Sequence, residues 1–373
     1  MQGSETMQVL DFMNTHDNWE DILTQPPYCI KVKRDGEYVL LKYNQLNSDF
    51  SNEIVKECRG AIFTKTDSNQ YICVSRAFDK FFNESEENAA TIDWCNVVVE
   101  EKVDGTLIKL WNYNDTWHVS TNGTINAFNA QVGDTDCSFG DLVVEALGGE
   151  DKFNQFTSLL DKCKTYMFEL VSPKSKVTIF YPETKLYYLG ERKNMFSMNE
   201  GKRFIDFMDD YGILCPKVYP LSTLEECLLY VKHMMKDQEG FVIRDKNFNR
   251  IKLKSPEYLI AFHMNNNGVL TVKRIIEMIK NEQLDDFLAY CPEYKEQVDK
   301  IVTSIVELAL QLDIDWGLAS IFACCERREF AERIKKFTNK DFLFKRYDNR
   351  DLVAMDYIMS QPTNKIKEMI GRG

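Results

Sequence analysis

The chain has 373 residues, 44% hydrophobic and 28% charged, which allows two domains with ample core and is ordinary for a globular protein. Its formal net charge of −12 excludes a protein that coats nucleic acid indiscriminately, because such binding rests on neutralising phosphates. Eleven cysteines without paired spacing and four histidines (16, 118, 233, 263) argue against a disulfide framework and a zinc site. No run approaches the ~20 apolar residues of a membrane span, and the N-terminus is too polar for a signal peptide, so a cytoplasmic protein is expected.

In chain order, residues 1–25 read as a short helix with a polar lead-in that Pro26-Pro27 ends. Tyr28–Arg34 and Tyr38–Tyr43 form a hairpin around Asp35-Gly36. Short β segments follow at Gly60–Thr64, Tyr71–Arg76, Val97–Lys102, Thr106–Asn112 and Trp117–Thr121. The runs on either side of Val103-Asp104-Gly105 read as partner strands, which puts Lys102 beside a turn whose Gly105 supplies φ > 0. Ser138–Leu147 reads as a helix stopped by Gly148-Gly149. Strands resume at Tyr166–Val171, Val177–Tyr181 and Leu186–Gly190, and Thr223-x-x-Glu226 is a capping box for a helix to about Met235. Gly240–Arg244 and Arg250–Lys254 close the mixed region.

Beyond Lys254 the pattern becomes helical, with stripes such as Val272, Ile275, Ile276, Ile279 and Val298, Ile301, Val302, Ile305. The Asn265–Asn267 stretch is the expected joint, giving domains at 1–263 and 264–373. Residues 264–373 carry 17 Lys/Arg against 18 Asp/Glu, but 327–350 holds nine basic and four acidic residues. That local excess admits a nucleic-acid contact, or a solvated helix surface with acids interspersed.

Charged residues interrupt apolar strands at intervals across some 200 positions: Arg59-Gly60, Lys80, Lys102, Glu169, Glu239-Gly240, and Lys252 with Lys254 on one strand face. A charge on a half-buried strand costs stability unless it meets a partner or a ligand. Together they point to one cleft for a polyphosphate and a metal. A lysine there is a nucleophile once burial or neighbouring cations make its amine neutral.

The ordered series Glu57-Cys-Arg59-Gly60, Arg76-Ala-Phe-Asp-Lys80-Phe-Phe-Asn83, Lys102-Val-Asp104-Gly105-Thr106, Phe168-Glu169-Leu170, Glu239-Gly240 and Lys252-Leu-Lys254 resembles the covalent nucleotidyltransferases, and within them the phage RNA ligase 1 family. The resemblance implies an α+β adenylyltransferase domain followed by an all-α domain. It implies an ATP-dependent RNA ligase using Mg²⁺, with Mn²⁺ as an alternative, acting as a monomer on RNA 5′-phosphate and 3′-hydroxyl ends in RNA repair. For a phage gene the setting would be the host cytoplasm. It makes Lys102 the nucleophile, and Asp104 and Glu239 the metal-engaging carboxylates. Arg59, Lys80, Arg192, Lys252 and Lys254 become nucleotide or phosphate contacts, and Glu169 the ribose acceptor. Phe168, Tyr187 and Tyr188 are candidates to stack on adenine, and equally candidates for core. One position departs: Asn122, in Thr121-Asn-Gly-Thr124, stands where a lysine is frequent. DNA ligases and capping enzymes share the motifs but continue into a β-rich domain, unlike the helical pattern here. An inactive nucleotide-binding or RNA-binding relative would not need the nucleophile.

Overall fold

A computed structural model describes residues 7–45, 47–133, 135–175, 178–194, 200–201, 206–235, 237–259, 270–280 and 283–371. The chain forms two compact units, Met1–Phe262 and His263–Gly373. The first is mixed α+β, and the second is helical throughout its described residues. No helix among these residues is long and apolar enough to cross a membrane. The expected Asn-rich joint at 265–267 lies outside the described residues.

The first unit opens with α1 (Gln8–Thr15), α2 (Trp19–Leu23), β1 (Lys31–Asp35), β2 (Tyr38–Lys42), α3 (Glu53–Glu57), β3 (Arg59–Lys65) and β4 (Tyr71–Ser75). Next come β5 (Phe82–Asn83), β6 (Val98–Glu101), β7 (Thr106–Tyr113), β8 (Thr116–Thr121), α4 (Phe139–Leu147) and α5 (Glu150–Ser158). It ends with β9 (Lys164–Val171), β10 (Lys185–Lys193), β11 (Glu200–Gly201), β12 (Val218–Tyr219), α6 (Leu224–Val231), β13 (Gly240–Arg244) and β14 (Arg250–Lys254). Three sheets result, with strand orders β1-β2-β3-β4, β11-β10-β9-β7-β8 and β12-β6-β13-β14-β5.

The first two sheets pack through Leu40, Ile62, Val74 and a fully buried Trp111. Alternation along each strand sends these residues to the shared face and their neighbours to the other. Those neighbours meet helices: Leu41 and Phe63 join the core with α1, while Leu110 and Phe168 join the core with α4 and α5. Each such large apolar side chain stabilises the fold by roughly 1.5–3 kcal/mol on leaving water. The third sheet packs on α6 through Phe241, Ile243, Leu253 and Cys227. The capping boxes at Ser138 and Thr223 both form, and Gly148 takes the left-handed conformation past α4.

Three expectations are corrected. The strands flanking Lys102 do not pair: β6 lies in the third sheet between β12 and β13, and β7 in the second between β9 and β8. Lys102–Gly105 is therefore a crossing between sheets, not a hairpin turn; Asp-Gly chemistry alone could not tell the two apart. Gly105 has no left-handed φ. It is needed because a Cβ there would stand 2.4 Å from the Leu170 carbonyl oxygen. Finally, 178–181 is irregular instead of a strand, because its backbone N–H groups serve a carboxylate described below; Val177 lies outside the described residues.

The second unit comprises α7 (Val272–Lys280), α8 (Leu284–Tyr290), α9 (Lys295–Ala319), α10 (Arg327–Arg333), α11 (Lys340–Asp348), α12 (Ala354–Ser360) and α13 (Thr363–Ile370). Val298, Ile305, Ala309 and Leu312 line the buried face of α9, against which α7, α11, α12 and α13 pack. Four of the nine basic residues in this stretch are answered by acids: Arg327 pairs with Asp348 at 3.0 Å, Arg333 with Glu329 at 3.3 Å, Lys335 with Glu332, and Arg346 with Asp313.

Candidate active site

The backbone N–H of Lys102 donates to the Gly240 carbonyl at 2.9 Å, one residue past the end of β6. That bond sets the lysine opposite Glu239, which opens β13. Lys102 Nζ and Lys254 Nζ both lie 2.8 Å from Glu239 Oε1. Lys254 comes from β14, where Gly240 is its cross-strand partner. Gly240 permits the approach: at φ +142° a Cβ would meet the Leu253 carbonyl oxygen at 2.0 Å. The Lys102 side chain is 22% exposed, against 4% for Lys254 and 3% for Glu239, so Lys102 is the amine a ligand can reach. Burial pushes the Glu239 carboxyl up, but the two ammonium groups outweigh it and hold the group below the usual carboxylate range. Glu239 Oε2 is buried with no hydrogen-bond partner among the described residues.

Asp104, in the crossing segment, is buried and fully engaged. Its Oδ2 accepts from the backbone N–H groups of Thr178 and Ile179 at 2.9 and 2.7 Å, and its Oδ1 accepts from the Tyr258 hydroxyl at 3.2 Å. Burial, with Glu239 adding, raises its carboxyl above the ordinary range despite these bonds. Glu169 in β9 faces the same place. Burial, helped by Glu239 and Asp104 and opposed by Lys102 and Arg59, pushes its carboxyl up to about 7. A Gly105 Cβ would also meet the Glu169 Cγ at 3.0 Å, so the crossing segment runs directly over this carboxylate. Tyr187 lies opposite Glu169 across the β9–β10 ladder and shares its face. Phe168 and Tyr188 are core residues toward α5, which rules them out as stacking surfaces.

Arg59 begins β3 with its guanidinium over the Phe81 ring at 5.5 Å, its NH1 donating to the Phe78 carbonyl. Lys252 shares the strand face of Lys254 and is more exposed. Lys80 and Arg192 stand elsewhere, on a cavity of about 750 Å³ with Phe81 and Arg250. Lys80 Nζ lies among the rings of Phe50, Tyr43 and Phe82 at 4.1, 5.1 and 5.4 Å. Arg192 is held by the Ala77 carbonyl and by Asp79, which also bridges Arg76. Of the predicted residues, Lys102, Asp104, Glu169, Glu239 and Lys254 converge and Lys80 and Arg192 line the neighbouring cavity, while Arg59 on β3 and Lys252 on β14 belong to neither group.

Among the described residues no three His, Cys, Asp or Glu side chains cluster as a metal cage. The unpartnered, buried Glu239 Oε2 is nonetheless a hard oxygen acceptor of the type Mg²⁺ or Mn²⁺ takes, and such ions keep waters or substrate phosphates as their other ligands. Sequence reasoning missed Tyr258, which holds Asp104, and Lys109, a fully buried lysine in β7. Lys109 carried a legible signal: it is the one charge inside Leu107-Ile-Lys-Leu-Trp111.

A family profile described as RNA ligase matches residues 57–258. A baculovirus protein, named as a bifunctional polynucleotide kinase/RNA ligase, is 33% identical over 74% of this chain (Autographa californica nuclear polyhedrosis virus). That match spans 41% of the baculovirus protein's own length. An RNA ligase of Rhodothermus phage RM378 is 25% identical over 86% of this chain and 87% of its own. Among solved structures, an archaeal ATP-dependent RNA ligase superposes with a TM-score of 0.43 at 13% identity, over 76% of this chain and 74% of its own.

Proposed function

The chain belongs to the RNA ligase family, and from that premise we infer that it is an ATP-dependent ligase joining RNA 5′-phosphate and 3′-hydroxyl ends. The observation that carries this reading is the convergence of Lys102 Nζ and Lys254 Nζ on one oxygen of a buried Glu239. A reachable amine next to a buried carboxylate and a second ammonium is the equipment for attack on a phosphoanhydride.

Lys102 Nζ attacks the α-phosphorus of ATP. An N–P bond forms, the bond to the bridging oxygen breaks, pyrophosphate leaves, and the amine gives up a proton. Glu239 orients the amine, and Lys254 with Lys252 offsets charge on the transferring phosphate. Arg59 meets the nucleotide phosphates, and Glu169 accepts from the ribose. Lys80 and Arg192, on the adjoining cavity, serve the far end of the phosphate chain. Glu239, through its unpartnered oxygen, and Asp104, through waters, would hold a divalent ion, which would supply further charge neutralisation at the phosphates. The RNA 5′-phosphate then takes AMP from lysine, and a 3′-hydroxyl displaces AMP to form the phosphodiester. The helical unit assists in choosing the RNA, and the biological role is RNA repair in the cytoplasm by a monomeric enzyme.

The deciding experiment is incubation with α-labelled ATP and Mg²⁺. A label that survives denaturation, and is lost on substituting Lys102, is the expected outcome. Absence of any adduct on the wild-type chain overturns the reading.

A further inference from the structure

Gly60 is a bulge. The β2–β3 register passes from Leu41↔Ala61 to Lys42↔Arg59 and leaves Gly60 without a ladder partner. Its φ of +73° is left-handed, and a Cβ there would stand 2.5 Å from the Asn122 carbonyl oxygen, so only glycine fits. A bulge re-aims the side chain beside it, here that of Arg59. It also turns a backbone carbonyl out of the sheet into the interior, where an unmet acceptor is costly.

The acceptor is met by Lys109, which reaches from β7 in the second sheet and donates its amine to the Gly60 carbonyl. Lys109 is fully buried. The titratable and charged groups facing it are Cys73 on β4, Arg59 on β3 and Lys42 on β2, with no carboxylate among them. Burial, opposed by the thiol and helped by Arg59 and Lys42, pushes the amine down to about 7. A buried lysine without an acid is a costly way to satisfy one carbonyl. A hydroxyl or amide would do so more cheaply if nothing else were required of it.

We propose that Lys109 is a positioning residue of the nucleotide site: its buried amine fixes the Gly60 bulge, and the fixed bulge aims Arg59 at the nucleotide phosphates. This rests on the ligase reading above. Lys109 does not reach the substrate; it acts from the opposite sheet, through one carbonyl, on the neighbouring residue. Among the described residues, Arg59 meets a long bond to the Phe78 carbonyl, at 3.4 Å, and the Phe81 ring, so its aim depends on the backbone beneath it.

The test is a double-mutant cycle on covalent nucleotide attachment, with Lys109→Met and Arg59→Ala. K109M should raise the KM for ATP about tenfold while kcat stays within about twofold. In the R59A background the same substitution should change KM by less than twofold, because the residue it positions is gone. A merely structural role would give the same loss in both backgrounds. Equal losses, or an unchanged KM in K109M alone, overturn the proposal. If K109M does not melt cooperatively, Lys109→Gln replaces it in the cycle. Its shorter, neutral donor should raise KM about threefold, again only when Arg59 is present, and equal effects overturn the proposal as before. A wild-type chain that takes no label at all defeats the ligase reading instead, and the two failures are distinguishable.

Discussion

At the residue scale, the site depends on who shares Glu239. Replacing Lys102 with alanine should abolish covalent AMP attachment and leave the fold intact, since Lys254 still partners the carboxylate. A denaturing gel after labelling and a thermal melt check both halves, and sealing of pre-adenylylated RNA should persist in the same variant. Glu169 gives a pH signature. Its folded carboxyl, at about 7, lies above the ordinary value near 4.5, so the folded state binds the proton more tightly. Its contribution to stability is therefore present at low pH and lost as pH rises from about 4.5 through 7. Denaturant midpoints at pH 5 and pH 8 should differ less in Glu169→Gln than in wild type. Most of these residues were legible in the sequence because a lone charge in an apolar strand needs a reason. The partnership of Lys102 with Glu239 was not, because it depends on which sheet each strand joins.

At the element scale, β14 presents two lysines on one face, and the structure separates their settings: Lys254 is buried against Glu239, and Lys252 is more open. Alanine at either should slow adenylylation, by roughly 3 kcal/mol of barrier at the buried position, measured by single-turnover labelling; wild-type rates would show that this face points away from the nucleotide. Removing Glu239 takes a carboxylate away from the buried Lys254, and E239A should cost on the order of 3–5 kcal/mol in a urea melt. The cap at Ser138 is a separate case. Its hydroxyl accepts from Asp141 N–H at 3.0 Å, so S138A should lose about 1 kcal/mol with catalysis untouched. Helix starts such as this one, and the Asp35-Gly36 hairpin, were readable because their chemistry is local. The β6–β7 crossing was misread as a hairpin because an Asp-Gly after an apolar run is equally consistent with leaving a sheet. Segment 178–181 was misread as a strand because its backbone donors answer Asp104, a partner far away in sequence.

At the scale of the whole molecule, the change from mixed to helical structure that the patterning predicted is present, although the joint itself falls outside the described residues. The basic stretch was ambiguous in the sequence because charge counts do not reveal pairing. Of Lys335, Lys336, Lys345 and Arg346, the first and last pair with Glu332 and Asp313, while Lys345 sits over Tyr357 at 5.4 Å. Replacing all four with alanine should therefore reduce the salt slope of RNA binding by about two counterions, not four. Labelling of Lys102 should be unchanged; if it collapses while RNA binding holds, the helical unit supports the active site directly. The strand order has one more consequence, which concerns synthesis. The sheet whose strand β6 leads into Lys102 is completed only when β13 and β14 lie between β6 and β5, and Asp104 finds Tyr258 154 positions away. On the ribosome, Lys102 emerges long before Glu239, the carboxylate it meets in the folded chain, and Lys254, which shares that carboxylate. A nascent or prematurely terminated chain thus carries an ordinary, solvated lysine. On the ligase reading, such a chain should take no label from ATP until translation has passed the last strand.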